Sequence, residues 1–197
     1  LTVTLDETHL VRADTAGNFL SSHFVNQRLC YVHRTQSGNF VLRSKFASLS
    51  ILLDSLMNYQ NSILHGINAL DALGMFEMPG GDLIIYGKAS VDYAYIIRTD
   101  ATFNFVWGKV YRSGGVSRLG SAVDGHVLSP DTLVFLCGDD YNGSGAIQGP
   151  HILMLNGNGD MINHWESSGS GKFVSTIRSR SVLRNGIFTF ITPHPVL

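Results

Sequence analysis

The stretch Asp140-Tyr141-Asn142-Gly143-Ser144-Gly145-Ala146-Ile147-Gln148 comes nearest to ligand chemistry. Carboxylate, amide and hydroxyl oxygens alternate along it, and Ala146 and Ile147 follow the last glycine. That is how an oxygen-rich calcium loop opens, and Ca2+ takes six to eight hard oxygen ligands. Asp140, Asn142 and Ser144 would supply three side-chain ligands, the Ala146 carbonyl a fourth, and Asp139 adds a second carboxylate nearby. The closing bidentate acid is missing, because Gln148 and His151 hold the ninth and twelfth positions. Calcium is thus the one cofactor worth testing, and the simpler expectation is no cofactor and a flexible polar hairpin loop.

A second chemistry would need paired carboxylates. Asp71, Glu77 and Asp124 sit on or near segments that read as strands, and two acids across an opening can hydrolyse a glycosidic bond. Trp107 and Trp165 are candidate contacts for a glycan or protein partner, or packing groups between repeats. The eight histidines show no metal-type local spacing and no H-E-x-x-H. Gly169-Ser170-Gly171 is in the wrong frame for a nucleophile elbow, and Gly80-Gly81 and Gly114-Gly115 read as turns, not phosphate loops. Arg178 and Arg180 would share one face of a strand beside Arg184, which suits an anion or simply solvent.

Composition narrows the class. Apolar residues make up 44% of the 197, enough for a packed core, and only 15% are charged, against roughly 25% in typical domains. Polarity must come from Ser, Asn, Thr and Gly, which suits an extracellular, cell-surface or virion setting. A net charge of -1 lacks the basic field of a nucleic-acid binder. No apolar run approaches the roughly 20 residues of a membrane-spanning helix. A start at Leu1 without a signal peptide reads as a processed chain or a fragment of something longer, such as one piece of a larger assembly. Cys30 and Cys137 lie in apolar runs and read as buried thiols, which leaves the redox compartment open.

The elements that would position these residues form a repeat. Arg12-Ala13-Asp14-Thr15-Ala16-Gly17-Asn18-Phe19, Leu52-Leu53-Asp54-Ser55-Leu56-Met57-Asn58-Tyr59, Arg98-Thr99-Asp100-Ala101-Thr102-Phe103-Asn104-Phe105 and Met154-Leu155-Asn156-Gly157-Asn158-Gly159-Asp160-Met161 share one pattern. Each is a β-prone run, an Asp or Asn, three residues, an Asn or Asp, and a second β-prone run. The anchors at 14, 54, 100 and 156 are 40, 46 and 56 residues apart. Four-stranded propeller blades repeat at roughly 40 to 50 residues. The first Asp or Asn can bond backbone groups two residues on, which makes each anchor a turn between antiparallel strands. A second series alternates with it, at Gly38-Asn39-Phe40, Gly81-Asp82-Leu83, Pro130-Asp131-Thr132 and Asn185-Gly186-Ile187, again a turn signal before an apolar run.

The two series predict an all-β domain over 1–197, a β-propeller of four blades with four antiparallel strands each. The blades are expected at 27–66, 67–111, 116–166, and 172–197 joined with 1–25, so that strands from both ends share the last one and remove exposed edges. The runs Gly80-Gly81-Asp82-Leu83-Ile84-Ile85-Tyr86-Gly87 and Tyr95-Ile96-Ile97-Arg98-Thr99-Asp100, with Val106-Trp107-Gly108-Lys109 and His9-Leu10-Val11-Arg12-Ala13-Asp14-Thr15-Ala16-Gly17-Asn18-Phe19-Leu20, resemble bacterial β-propeller repeat proteins. The resemblance implies a fold and no particular activity, so it carries over no catalytic residue. The functional expectation is a non-enzymatic binding or structural module that presents loops to a protein or glycan. The alternatives are a carbohydrate-active hydrolase with acids at the tunnel mouth, or a calcium-dependent lectin-like domain.

Overall fold

The computed structural model describes residues 8–25, 29–44, 49–65, 71–90, 93–112, 119–138, 150–166, 180–185 and 187–191. Within them every regular element is a β-strand. A hairpin of β1 (Thr8–Ala13) and β2 (Phe19–Val25) comes first. Next, β3 (Leu29–Arg34), β4 (Phe40–Ser44), β5 (Leu49–Leu53) and β6 (Tyr59–Leu64) form an antiparallel sheet in chain order. β7 (Asp71–Glu77), β8 (Leu83–Ser90), β9 (Tyr93–Thr99) and β10 (Phe105–Tyr111) repeat that meander. So do β11 (Ser121–Ser129), β12 (Thr132–Gly138), β13 (His151–Asn156) and β14 (Met161–Glu166). A hairpin of β15 (Arg180–Arg184) and β16 (Ile187–Ile191) ends the described chain.

The four anchors all form one kind of turn. Asp14, Asp54, Asp100 and Asn156 each donate a backbone N–H to the carbonyl four residues on and accept one at their own carbonyl from three residues on. Their side chains take over more of the work. Asp54 Oδ1 accepts from the N–H groups of Leu56 and Asn58, and Asn58 Nδ2 donates to Asp54 Oδ2 at 2.9 Å. The Asn58 side chain first, then its N–H, hold the Asp54 carboxyl below its ordinary pKa. The fourth residue of each turn is left-handed: Gly17 at φ 84°, Met57 at 72°, Phe103 at 69° and Gly159 at 74°. Two of the four therefore carry a side chain where glycine is the unstrained choice. Beyond each turn the outer strand holds one extra residue, between the partners of Ala13, Leu53, Thr99 and Leu155 and the next pair.

Each sheet packs on the next in chain order. Leu10 of β1 meets Leu42 and Leu53. Val41, Leu52 and Ile63 meet Leu83, Ile85, Tyr95 and Ile97. On the other face, Ile84 and Ile96 meet Leu133, Phe135, Leu153 and Leu155. β15 lies beside β11. The middle strands of the second four-stranded sheet are covered on both faces, so β8 is buried from Leu83 to Ala89 instead of alternating. β13 does alternate, with His151, Leu153 and Leu155 buried and Ile152, Met154 and Asn156 partly exposed. One face of β13 is thus covered and the other partly open, whereas its neighbour β12 is buried from Leu133 to Gly138.

The all-β class, the antiparallel meanders and the strand positions match the sequence expectation. β1–β2 and β15–β16 are two separate two-stranded sheets, and among the described residues no ladder joins β16 to β1.

Candidate functional site

Three successive sheets bring polar side chains to one corner. Tyr31 pairs with Arg43, Gly74 with Tyr86 and Asp124 with Leu136, each pair lying just past an irregularity in the first strand of its sheet. These are equivalent positions. The Arg43 guanidinium, 2% exposed, sits 4.8 Å over the Tyr31 ring and donates to the Gly74 carbonyl at 2.9 Å. The Tyr86 hydroxyl donates to Asp124 Oδ1 at 3.4 Å, and the Gly125 N–H donates to the same oxygen at 3.0 Å. Burial, then the Asp124 charge, pushes the Tyr86 phenol far up, so it stays a neutral donor. The chain of contacts from Tyr31 to Asp124 crosses three sheets and ties their first two strands together.

Gly74 makes this corner possible, because a Cβ there would overlap the Tyr86 ring. Gly74→Ala is therefore expected to cost about 1–3 kcal/mol, the usual range for overpacking. Urea unfolding of Gly74→Ala in wild-type and Tyr86→Leu backgrounds checks this. The alanine penalty should vanish when the ring is gone, and an unchanged penalty would show that the ring is not its cause.

Asp71 and Glu77 do not form a catalytic pair. Asp71 opens β7 opposite Lys88, and Glu77 closes the same strand. At roughly 3.4 Å per residue their backbones lie about 20 Å apart, beyond the roughly 5–10 Å separations glycosidases use. Glu77 Oε2 accepts the Gln36 N–H from the neighbouring sheet's turn at 2.6 Å. Asp124 has Gly74 as its structural counterpart, and Asp71 has Ser121, so the acids are not repeat equivalents.

Two histidine pairs escape a search for local spacing, being 15 and 13 residues apart in sequence. Ser50 Oγ and His65 Nε2 share a hydrogen bond of 2.8 Å. These are the atoms of a nucleophile and its base, but Ser50 is fully buried, and His65 Nδ1 is buried without a hydrogen-bond partner among the described residues. Burial first and the Arg43 charge second push the His65 pKa down to about 4, so it is neutral. His151 and His164 stack with ring centres 5.1 Å apart and share a bond of 2.9 Å between Nδ1 and Nε2. Burial and the facing His164 lower the His151 pKa, against the pull of Glu166. Among the described residues no three His, Cys, Asp or Glu side chains gather as metal ligands would. Cys137 is a buried free thiol, its pKa raised by burial.

Trp107 works between sheets. Its Nε1 donates to the Gly157 carbonyl of the next sheet's turn at 3.0 Å, and its ring lies where a Cβ of Gly159 would stand. Arg98 donates to the same carbonyl at 2.7 Å while paired with Asp82, Lys109 bonds Asp160 at 2.7 Å, and the Tyr111 hydroxyl donates to the Gly159 carbonyl. One sheet back, Asn61 does the same job, donating to the carbonyls of Thr102 and Phe103 at 3.2 and 3.3 Å. Asn61 and Trp107 both stand three residues after their turn. Trp165 does not share that position: Asn163 does, and Trp165 is the counterpart of Lys109 and Ile63. Trp165 is 44% exposed. The proposed calcium ligands Asp140, Asn142, Ser144 and Ala146 lie outside the described residues, as does Arg178.

No family model matches the chain, and no curated protein does. Among solved structures it is similar to a crystal structure of a Bacteroides caccae protein described as of unknown function. The TM-score is 0.56 at 11% identity, over 82% of this chain and 60% of that one. The likeness extends to the fold alone, and this chain spans about 60% of that protein's length. Among the described residues no helix is long and apolar enough to cross a membrane.

Proposed function

We propose that this chain is a non-enzymatic binding module, built as a four-blade propeller whose last blade combines β15–β16 with β1–β2, and that it offers its rim to a protein partner. A repeated row of exposed apolar residues carries the reading. The first residue of each outer strand is Phe19, Tyr59, Phe105 or Met161, exposed by 67, 63, 57 and 46%. Leu20, Val106 and Ile162, the next residue in three of the four, are exposed too. Scattered exposed apolar groups need no explanation, but a row at one structural position does. Its mixture of aromatic and aliphatic side chains, with few fixed polar groups, suits a protein better than a glycan, which needs hydrogen-bonding partners beside a flat ring. The engagement of Glu77 and Asp124 in bonds between and within sheets weighs against hydrolysis. An extracellular, cell-surface or virion setting fits the low charge content.

A photo-crosslinking residue in place of Phe105, in the full chain within its native setting, tests this. One discrete protein adduct is expected, lost when Phe19, Tyr59 and Met161 are changed to Ser. An adduct indifferent to those changes, or none, would remove the rim from consideration. Turnover of an oligosaccharide that Glu77→Gln or Asp124→Asn abolishes would make the chain a hydrolase instead.

A further inference from the structure

The contacts between sheets follow a rule of size. The outer strands β6 and β10 each grip the turn of the next sheet, and a bulky group comes from one side or the other. In turn 100–104 the left-handed residue is Phe103, and the gripping strand β6 brings Asn61 and Ile63. In turn 156–160 it is Gly159, and the gripping strand β10 brings Trp107. Turn 54–58 carries Met57, packed with Leu10 of β1, and β2 has Ser21 at the gripping position. One turn and one gripping strand remain. Turn 14–18 has glycine at the left-handed position, and nothing lies within 4 Å of where a Gly17 Cβ would be. Strand β14 carries Asn163 and the half-exposed Trp165.

The faces behind them match as well. β13 and β14 leave Ile152 and Met154 partly exposed, paired across the ladder with Trp165 and Asn163. β1 and β2 leave Val11 and Phe24 exposed, at 63 and 55%. Val11 is the repeat counterpart of Leu153, and Ile152 that of Ile96, and Leu153 and Ile96 belong to one core cluster. Each uncovered face thus carries what the interior faces use to hold one another.

We propose that the open face of β13–β14 docks the chain's own β1–β2 hairpin. Asn163 donates to the carbonyls of turn 14–18 as Asn61 does to those of turn 100–104, and Trp165, at the position of Ile63, supplies the bulk that Gly17 lacks. Val11 packs on Ile152 and Met154. The inference rests on the closed-ring reading above and names the contact that closes it. An intrachain partner is favoured over a second copy because a tethered hairpin is present at a high effective concentration wherever the span allows.

Disulfide trapping tests the contact. Ala16→Cys with Asn163→Cys is oxidised in a Cys30→Ser background, beside a control pair at an interior grip, Thr102→Cys with Asn61→Cys. Cys137 stays, because it is buried. The expected result is an intrachain disulfide in both proteins, at similar yield and independent of concentration. Disulfide-linked dimers would overturn the proposal by assigning the face to a second copy. No disulfide while the control forms one would overturn it too, and solution scattering on the wild-type chain then separates the two failures. A compact 21.5 kDa disc would mean that the ring closes through other residues, and an elongated particle would mean that the ring reading itself is wrong.

Discussion

Phe103→Ala is expected to cost about 3–5 kcal/mol, and Phe103→Gly about 1 kcal/mol less than that. The order is the reverse of the usual one, in which glycine is the worse replacement. Phe103 holds φ at 69° and is only 1% exposed. Its ring lies in the cluster joining β3–β6 to β7–β10, among Val41, Leu52 and Ile63 on one side and Leu83, Ile85 and Tyr95 on the other. Alanine leaves a cavity between two sheets and keeps the left-handed backbone that an L-residue resists. Glycine leaves the same cavity but adopts that backbone freely. Urea unfolding curves of the three proteins, analysed by linear extrapolation, separate the terms. If Phe103→Gly proves less stable than Phe103→Ala, the strain argument is wrong. If both lose less than 1 kcal/mol, Phe103 does not join the sheets.

Acidification is expected to weaken the fold by about 3 kcal/mol through His65 alone. Its folded pKa is near 4, against an ordinary value of 6.5. A depressed histidine pKa means that the unfolded chain binds the proton more readily. The stabilisation is complete above about pH 6.5 and is lost as the pH falls towards 4. The cause is geometric: the imidazole sits between Ser50 and the Tyr95 ring, near the buried Arg43 guanidinium, and among the described residues no carboxylate stands by to receive a charge. His33 and His151 are lowered as well, chiefly by burial, so they steepen the same limb. Urea midpoints from pH 7.5 to 4 should fall steeply in the wild type and less in His65→Gln, which carries no titrating group. Parallel profiles would show that His65 is not buried neutral.

The strands were legible because each is short, apolar and bounded by turn residues with a mechanism. Asp14, Asp54, Asp100 and Asn156 announce their turns through side-chain oxygens, and the structure uses all four alike. The left-handed residue was legible only half the time. Gly17 and Gly159 advertise it, whereas Met57 and Phe103 look like ordinary apolar residues and hold the conformation because packing between sheets outweighs the local strain. Counted from their turns, Trp107 and Trp165 stand two residues apart, which only the strand register reveals. The pairs Ser50–His65 and His151–His164 arise from strand register, which no spacing rule along the chain encodes.

The extra residue after each turn bears on how this chain behaves among many copies of itself. An outer strand with a straight ladder and apolar side chains would be a template on which another chain could add a strand. Here the ladder is interrupted at Leu20, Gln60, Val106 and Ile162, at the end of the strand where the apolar row is exposed. Such an interruption increases the local twist and breaks the register an incoming strand would need. These four residues thus hinder backbone pairing beside the exposed Phe19, Tyr59, Phe105 and Met161, and a protein can carry an apolar row of this kind without growing into fibrils.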